Sequence, residues 1–286
     1  MILVADSGSS KTDWIINIEN TGPVSFSTKG INPFFTNEKD IARIFSQDHE
    51  IKKYAEKAKE VYFFGEGCSN PDKREMVSNG LSQVFKNAFI NVENDAVGSA
   101  YATCGNGKGY TCILGTGSNI AFFDGQEVQY GKHGLGFILG DEGSGAWYGK
   151  KLITGFLYGK MPKGLKKDFR ESFYIDKEVV IKNVYQRPLP NIWLASFAPF
   201  LSEHRGDSYI DNLIEEGMEA FVHSHILPYP DHRNHPCHFV GSIAWHFRDV
   251  LGKVCKKHHL KTGKILAHPI QELSDYIMRE RVEASL

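Results

Sequence analysis

The sequence lacks the features that direct a protein to a membrane, a secretory route or nucleic acid. No stretch reaches the roughly 18 uninterrupted apolar residues of a membrane-spanning helix, and residues 1–6 carry no basic segment of the kind that opens a secretion signal. Lysine and arginine (33) balance aspartate and glutamate (34), which gives a formal net charge of −1. Bulk attraction to nucleic acid or to an anionic membrane is therefore not expected, and binding partners have to be inferred from local sites.

Cysteine is scarce and scattered. The five cysteines lie at positions 68, 104, 112, 237 and 255, with no C-x-x-C pair. Isolated thiols favour a reducing cytoplasm over a disulfide framework or a tetrathiolate metal site. Histidine is abundant, with nine of twelve residues between His204 and His259. Their spacing contains no compact ligand set such as H-E-x-x-H, so no protein-held transition metal is expected.

Three common catalytic motifs are absent as well. The sequence contains no Walker pattern G-x-x-x-x-G-K-[ST], no dinucleotide-binding pattern G-x-G-x-x-G and no nucleophile elbow G-x-S-x-G. P-loop and Rossmann interpretations are therefore excluded, and a Ser-His-Asp hydrolase is not supported. What is present is a chain of ordinary composition, 286 residues with 41% hydrophobic, which suffices for about two domains with normal cores.

The order of predicted elements indicates an α/β fold built from two similar halves. Each half opens with two apolar runs around a turn of glycine, serine and threonine: Ile2–Ala5 with Trp14–Ile18, and Thr111–Leu114 with Ile120–Phe123. Such runs predict β-hairpins, and their recurrence about 110 residues apart indicates a duplicated domain.

Other elements follow from apolar periodicity. Strands are predicted at 24–28, 61–64, 89–92 and 126–130, a strand–turn–helix at 239–244, and helices at 39–45, 51–59, 72–85, 96–103, 144–158, 179–185, 207–222 and 273–284. We expect one domain over 1–107 and a second over 108–269, with the C-terminal helix 270–286 joined to the first domain.

The first turn, residues 6–12, has the chemistry of a phosphate-binding loop. Glycine and small hydroxyl residues leave backbone N–H groups free to donate to phosphate oxygens, and Ser9, Ser10 and Thr12 add hydroxyl donors. Lys11 offsets negative charge, and Asp6 is suited to hold Mg²⁺ through water. Taken alone, the same segment is also typical of a plain hairpin loop.

The second turn, residues 115–119, repeats this chemistry. Two such loops at equivalent places would face each other across a cleft and hold a triphosphate with Mg²⁺ between them. Asp95, at the end of a predicted strand and the start of a helix, is either a helix N-cap or a base that orients a substrate hydroxyl and accepts its proton.

The glycine-rich segment 134–144 places two acids, Asp141 and Glu142, between glycines at the start of a helix. Carboxylates and amides bind sugar hydroxyls, so Asp141 and Asn119 suit a neutral sugar. The alternative is that the acids merely interact with the helix dipole.

Taken in order, these segments resemble the BadF/BadG/BcrA/BcrD ATPase family, and within it the N-acetylglucosamine kinases. The resemblance covers nearly the whole chain and depends most on L-G-T-G-S-N at 114–119 and G-D-E-G-S at 140–144. Looser matches are D-S-G-S-S-K-T at 6–12, E-N-D-A at 93–96 and V-G-S-I at 240–243. The family belongs to the actin/hexokinase/Hsp70 superfold, which implies two ribonuclease-H-like domains that close on ATP in an interdomain cleft.

The resemblance also implies roles for individual residues. Asp95 would be the catalytic base, and Asp6 would hold Mg²⁺, through water. The nucleotide would be bound by Ser9, Ser10, Lys11, Thr12 and Thr116, with Gly241 and Ser242 as the adenosine motif. The sugar would be bound by Asn32, Asp95, Ser118, Asn119, Gly134, Leu135, Gly136 and Asp141. The first motif usually reads D-G-G-G-T-K-T, and here Ser7 and Ser9 replace glycines.

The function implied is a cytoplasmic, ATP- and Mg²⁺-dependent kinase of amino sugar metabolism that phosphorylates N-acetylglucosamine on its 6-hydroxyl. Three alternatives stay open: a kinase for N-acetylmuramic acid or glucosamine, an ATPase that activates a dehydratase through an iron–sulfur cluster, and a non-catalytic sugar sensor. The cluster would need thiolate ligands, for which Cys104 and Cys112 are the nearest candidates. The sequence does not determine the oligomeric state, and a homodimer is one possibility.

Overall fold

The computed structural model describes residues 1–19, 21–131 and 133–284, which form two compact units. Unit 1 comprises residues 1–107, 123–128 and the chain from residue 268 onward, and unit 2 comprises residues 108–122 and 129–267. Residues 285 and 286 of the predicted C-terminal segment lie outside the described residues. Among the described helices, none is both long and apolar enough to cross a membrane.

Unit 1 is built on a five-stranded mixed sheet. Its strands are β1 (Ile2–Ser7), β2 (Lys11–Ile18), β3 (Gly22–Lys29), β4 (Glu60–Gly65) and β5 (Phe89–Asn94), in the order β3-β2-β1-β4-β5. The first three strands pair antiparallel, whereas β1, β4 and β5 run parallel. The carboxyl ends of three neighbouring parallel strands therefore meet at one edge of this sheet.

The described part of unit 1 also contains five helices: α1 (Glu38–Gln47), α2 (His49–Tyr54), α3 (Pro71–Val84), α4 (Asp95–Cys104) and α14 (Ile270–Ala284). The core centres on Trp14, whose buried ring meets Phe45 edge-on at 5.5 Å and also contacts Phe63. Helix α14 packs on α4, where Tyr276 stacks on Tyr101 at 4.5 Å.

Unit 2 carries a second five-stranded sheet, ordered β10-β9-β6-β7-β8. Its strands are β6 (Gly109–Leu114), β7 (Ser118–Phe123), β8 (Val128–Tyr130), β9 (Pro236–Val240) and β10 (Lys261–Leu266). Strand β9 runs parallel to both β6 and β10. The ends of β6 and β9 thus lie side by side.

Most of the remaining chain of unit 2 is helical. Its α-helices are α5 (Gly136–Leu139), α6 (Gly145–Leu157), α7 (Lys163–Ser172), α8 (Lys177–Ile181), α9 (Pro190–Ala195), α10 (Pro199–Glu203), α11 (Ser208–Phe221), α12 (Ser242–His246) and α13 (Arg248–Lys257). Two π-helical turns, Lys182–Gln186 and Val222–Ile226, continue α8 and α11. The buried hydroxyl of Tyr148 donates to the carbonyl oxygen of Ile214 at 2.8 Å and so joins α6 to α11.

Four predicted elements differ from the structure in extent or in type. The helix expected at 51–59 ends at Tyr54, since the Lys59 N–H already donates to the Met1 carbonyl oxygen as the chain enters the ladder of β4. The strand expected at 126–130 starts at Val128, because the Asp124 carboxylate accepts the N–H groups of the two preceding residues in a tight turn. The helices predicted at 179–185 and 207–222 both change to π-helix near their ends, a change that periodicity does not reveal.

Candidate active site

Three acidic residues lie where the parallel strands of unit 1 end. Asp6 is next to last in β1, Glu66 directly follows β4, and Asp95 directly follows β5. The register pairs Ser7 with Gly65 and Gly65 with Asn94, so these three strand ends are level. The sheet thereby gathers three carboxylates that are 60 and 29 residues apart along the chain.

Asp95 is not the N-cap of α4. Asn94 is the cap, because its side chain accepts the N–H of Ala96 at 3.0 Å while Asp95 occupies the first helical position. One Asp95 oxygen also accepts that N–H at 3.0 Å. The capping alternative for Asp95 is thus taken by its neighbour, and the Asp95 carboxylate is left to other chemistry.

The electrostatics of this cluster favour protons or cations. Burial, and then the charges of Glu66 and Asp6, raise the pKa of Asp95 to about 8. Burial, and then Asp13, raise the pKa of Asp6 to about 7, although Lys11 acts in the opposite direction. Crowded oxygen ligands of this kind are the donor set that Mg²⁺ prefers, so the residues present fit that ion.

The turn between β1 and β2 is held by backbone hydrogen bonds within itself and from Gly30. The Gly8 N–H donates to the carbonyl oxygen of Lys11 at 3.0 Å, and the Gly30 N–H donates to that of Ser10 at 3.2 Å. A β-carbon on Gly30 would lie 2.3 Å from the Gly8 carbonyl oxygen. Only glycine at position 30 therefore lets the backbone there approach this turn so closely.

Glu66 joins the turn to Asn32. One Glu66 oxygen accepts both the N–H and the hydroxyl of Ser9, at 2.7 and 2.6 Å. Asn32 donates to the Ser9 hydroxyl at 3.1 Å and to the other Glu66 oxygen at 3.4 Å. A residue predicted to bind nucleotide and one predicted to bind sugar are thus held by a single carboxylate.

The remaining predicted residues of the turn differ in exposure. Thr12 is fully buried, and its hydroxyl shares a 2.7 Å hydrogen bond with that of Ser7. Lys11 is half-exposed, and its ammonium lies 2.7 Å from the Asp13 carboxylate. Ser10 is exposed at the tip of the turn. Direct contact of these side chains with a nucleotide stays a prediction.

In unit 2 the turn after β6 rests on the start of α6. The Gly145 N–H donates to the Gly115 carbonyl oxygen at 2.8 Å, and the Ala146 N–H donates to that of Thr116 at 3.0 Å. Gly241, which follows β9 with φ +121°, approaches so closely that a β-carbon there would lie 2.4 Å from the Leu114 carbonyl oxygen. The predicted phosphate turn and adenosine motif of this unit are therefore in contact.

Predicted sugar-binding residues also come together in unit 2. A β-carbon on Gly117 would lie 2.9 Å from the Asp141 carboxylate, and one on Gly134 would lie 3.2 Å from the Asn119 side-chain oxygen. Asp141 adopts a left-handed φ of 56°. The Ser118 hydroxyl is buried and has no hydrogen-bond partner within the described chain, so a ligand hydroxyl is one partner it could take.

Leu135, Gly136 and Ser242 are exposed. Gly136 has a positive φ of 70° at the start of α5. Contacts of these three residues with a sugar or nucleotide stay predictions.

A buried histidine contacts the acidic turn of unit 2, which carries Asp141 and Glu142. The His225 side chain is 0% exposed, and its Nε2 lies 3.1 Å from a Glu142 oxygen. Burial lowers the pKa of His225, while Glu142 acts in the opposite direction. Gly143 packs against α11, where a β-carbon would lie 2.7 Å from the Gly217 carbonyl oxygen. The turn that carries Asp141 is thus attached to α11 and its π-helical extension.

Sequence reasoning missed Glu66, Gly30 and His225. Gly30 lies two residues before Asn32 in the segment G-I-N-P, and this closeness to a predicted site residue was the only sequence feature that pointed to it. Glu66 and His225 belong to no motif, and their partners lie 57 and 83 residues away.

Comparison with known proteins identifies the family. No family model and no curated protein matches the sequence. Among solved structures, it matches a Porphyromonas gingivalis protein provisionally described as an N-acetylglucosamine kinase, with 38% identity, a TM-score of 0.91, and coverage of 98% of this chain and 100% of that one. The chain therefore belongs to the sugar kinases of actin-like fold.

More distant structures share the fold. A protein from Chromobacterium violaceum, also provisionally described as an N-acetylglucosamine kinase, matches at 16% identity and a TM-score of 0.68, over 96% of this chain and 98% of that one. A Streptomyces griseus glucokinase in complex with glucose and AMPPNP matches at 13% identity and a TM-score of 0.53, over 96% and 98%. The predicted fold class, a duplicated α/β fold of the actin-like ATPase type, is confirmed.

Proposed function

We propose that the protein phosphorylates N-acetylglucosamine on its 6-hydroxyl with ATP, and that it lies in the BadF/BadG/BcrA/BcrD branch of these kinases. The observation that carries the proposal is Asp95, a carboxylate at the same edge of the sheet as Asp6 that is not the N-cap of α4. The choice of N-acetylglucosamine as the substrate is inferred from the 38% identical P. gingivalis protein, which is provisionally described as a kinase for that sugar. The cysteines of the described chain, which form no disulfide, accord with work in a reducing cytoplasm.

In unit 1, Asp95 would orient the sugar hydroxyl and accept its proton as the hydroxyl oxygen takes up the terminal phosphoryl group of ATP. A pKa near 8 makes this carboxylate a better proton acceptor than an ordinary aspartate. Asp6 would hold Mg²⁺ through water, and the ion would offset phosphate charge. Ser9, Ser10, Lys11 and Thr12 would form the nucleotide side of this unit.

In unit 2, Thr116, Gly241 and Ser242 would bind the nucleotide, and the contact of Gly241 with the turn after β6 supports this grouping. Ser118, Asn119, Gly134, Leu135, Gly136 and Asp141 would bind the sugar, together with Asn32 of unit 1. The buried, unpartnered Ser118 hydroxyl supports a polar ligand at this place.

Glu66 and His225 would act as positioning residues. Glu66 holds the turn and Asn32 in one geometry, so it would couple the nucleotide and sugar sides of unit 1. His225 would keep Glu142, and with it the turn carrying Asp141, in place.

The test is ADP release in a coupled assay with a panel of sugars: N-acetylglucosamine, its 6-deoxy analogue, glucosamine and N-acetylmuramic acid. We expect turnover with the first and none with the 6-deoxy analogue. Asp95→Asn should lower turnover by about 100-fold or more while nucleotide binding persists. Asp72→Asn, an exposed acid in the first turn of α3, is the matched control and should leave turnover unchanged.

The same sugar panel, together with measurements of sugar binding and of bound iron, separates the alternatives. Faster turnover of glucosamine or N-acetylmuramic acid would reassign the substrate, and sugar binding without ADP release would indicate a sensor. ATP hydrolysis that ignores sugar, in a protein that binds iron, would indicate a dehydratase activator. Cys112, one of the thiols considered for that role, lies fully buried in the core of unit 2.

A further inference from the structure

The histidine-rich segment brings two imidazoles and a carboxylate together on unit 2, at a place that the kinase chemistry does not use. Glu219 and His223 are four residues apart where α11 passes into its π-helical turn, and His258 follows α13. His258 Nε2 lies 2.7 Å from Glu219 Oε2, and His223 Nε2 lies 3.6 Å from the same oxygen. The three ligand atoms all lie within 4.8 Å of one another.

We propose that Glu219, His223 and His258 form a binding site for a divalent transition-metal ion, with Zn²⁺ the ion that these ligands suit best. Tetrahedral Zn²⁺ has bonds of about 2.0–2.1 Å to histidine nitrogen and carboxylate oxygen, which places its donors roughly 3.4 Å apart. The observed separations of 2.7 and 3.6 Å bracket that value. Small side-chain rotations would admit the ion, and water would fill the fourth position.

The surroundings of the carboxylate favour a ligand role. Lys257 donates to Glu219 Oε1 at 2.7 Å, which fixes the carboxylate and leaves Oε2 directed at both histidines. A hydrogen-bonded partner of this kind commonly orients a metal ligand.

The chemistry of the donors separates this site from the proposed Mg²⁺ position at Asp6. Imidazole nitrogen suits Zn²⁺, Co²⁺ and Ni²⁺, whereas Mg²⁺ prefers oxygen. The spacing of the histidines gave no hint of the site, because His258 lies 35 residues beyond His223 and joins it only through the packing of α13 on α11.

The test is titration of the full-length, chelator-stripped protein with Co²⁺, followed by its visible absorption, and then displacement with Zn²⁺. We expect one equivalent to bind and Zn²⁺ to displace it. His223→Ala and His258→Ala should each weaken binding by at least about 10-fold. The His223 side chain is 61% exposed, so its removal should leave the fold intact, as circular dichroism would verify.

Two controls make the result decisive. His246→Ala removes another exposed histidine of unit 2 and should leave the affinity unchanged, as should Asp6→Asn in unit 1. The proposal is overturned if no stoichiometric binding occurs, or if both His223→Ala and His258→Ala bind Co²⁺ as tightly as the unmodified chain. Neither result depends on kinase activity, so the site stands or falls separately from the proposed function.

Discussion

Replacing Asp95 with asparagine should stabilise the ligand-free protein while it lowers turnover. Burial and the neighbouring carboxylates raise the pKa of Asp95 to about 8, whereas in the unfolded chain it is about 3.9. Between these values the folded protein holds a proton that the unfolded chain has lost, so stability falls as pH rises. Asparagine keeps the shape and the acceptor for the Ala96 N–H without the charge.

The size of the effect follows from that difference. Each pH unit between the folded and unfolded pKa corresponds to about 1.4 kcal/mol, which sets a ceiling of about 4 kcal/mol at pH 7. The side chain is only partly buried, so water relaxes part of the cost and we expect about 1–2 kcal/mol. A gain of this size raises the melting temperature by about 2–8 °C in a chain of this length.

The assay is thermal unfolding of the metal-free protein at several pH values from 5 to 8. The melting temperature of Asp95→Asn should exceed that of the unmodified chain by a margin that grows with pH. The exposed control Asp72→Asn should show no such growth. A margin that is absent at pH 8, or that shrinks as pH rises, would refute the electrostatic account of this carboxylate.

Three further predictions concern the supports of the site. Gly30→Ala should weaken nucleotide binding by at least about 10-fold in calorimetry, because its β-carbon would lie 2.3 Å from the turn. Gly164→Ala, where a β-carbon meets nothing within 4 Å, is the control and should bind normally. For the unmodified enzyme, kcat/KM should rise between pH 6 and pH 8 as Asp95 loses its proton. Glu66→Gln, which removes a charge that raises the pKa of Asp95, should move this rise to lower pH; an unchanged profile would contradict that coupling. His225→Phe should raise KM for the sugar more than KM for ATP, since it releases the turn held through its Nε2, and an equal rise in both would count against that role.

The strands and turns of the sheets were predictable because short apolar runs bounded by glycine and serine carry a local signal. Asp95 could be found for the same reason, since a carboxylate directly after a buried run falls at a strand end. Strand β10, in contrast, reads K-T-G-K-I-L and is recognisable only through its pairing with β9. Likewise, Glu66 acquires its partners from the level ends of β1 and β4, a property of register that no single segment contains.

The hydrogen bonds between Ser9 and Glu66 bear on how the turn behaves before a nucleotide arrives. The backbone and hydroxyl donors of Ser9 already donate to the Glu66 carboxylate, which fixes the conformation of the turn. An incoming phosphate that accepted these hydrogen bonds would take the place of the Glu66 carboxylate, so one negative group would replace another. The displaced carboxylate would keep only its hydrogen bond from Asn32, so that the arrival of a nucleotide would change the surroundings of a residue predicted to bind the sugar.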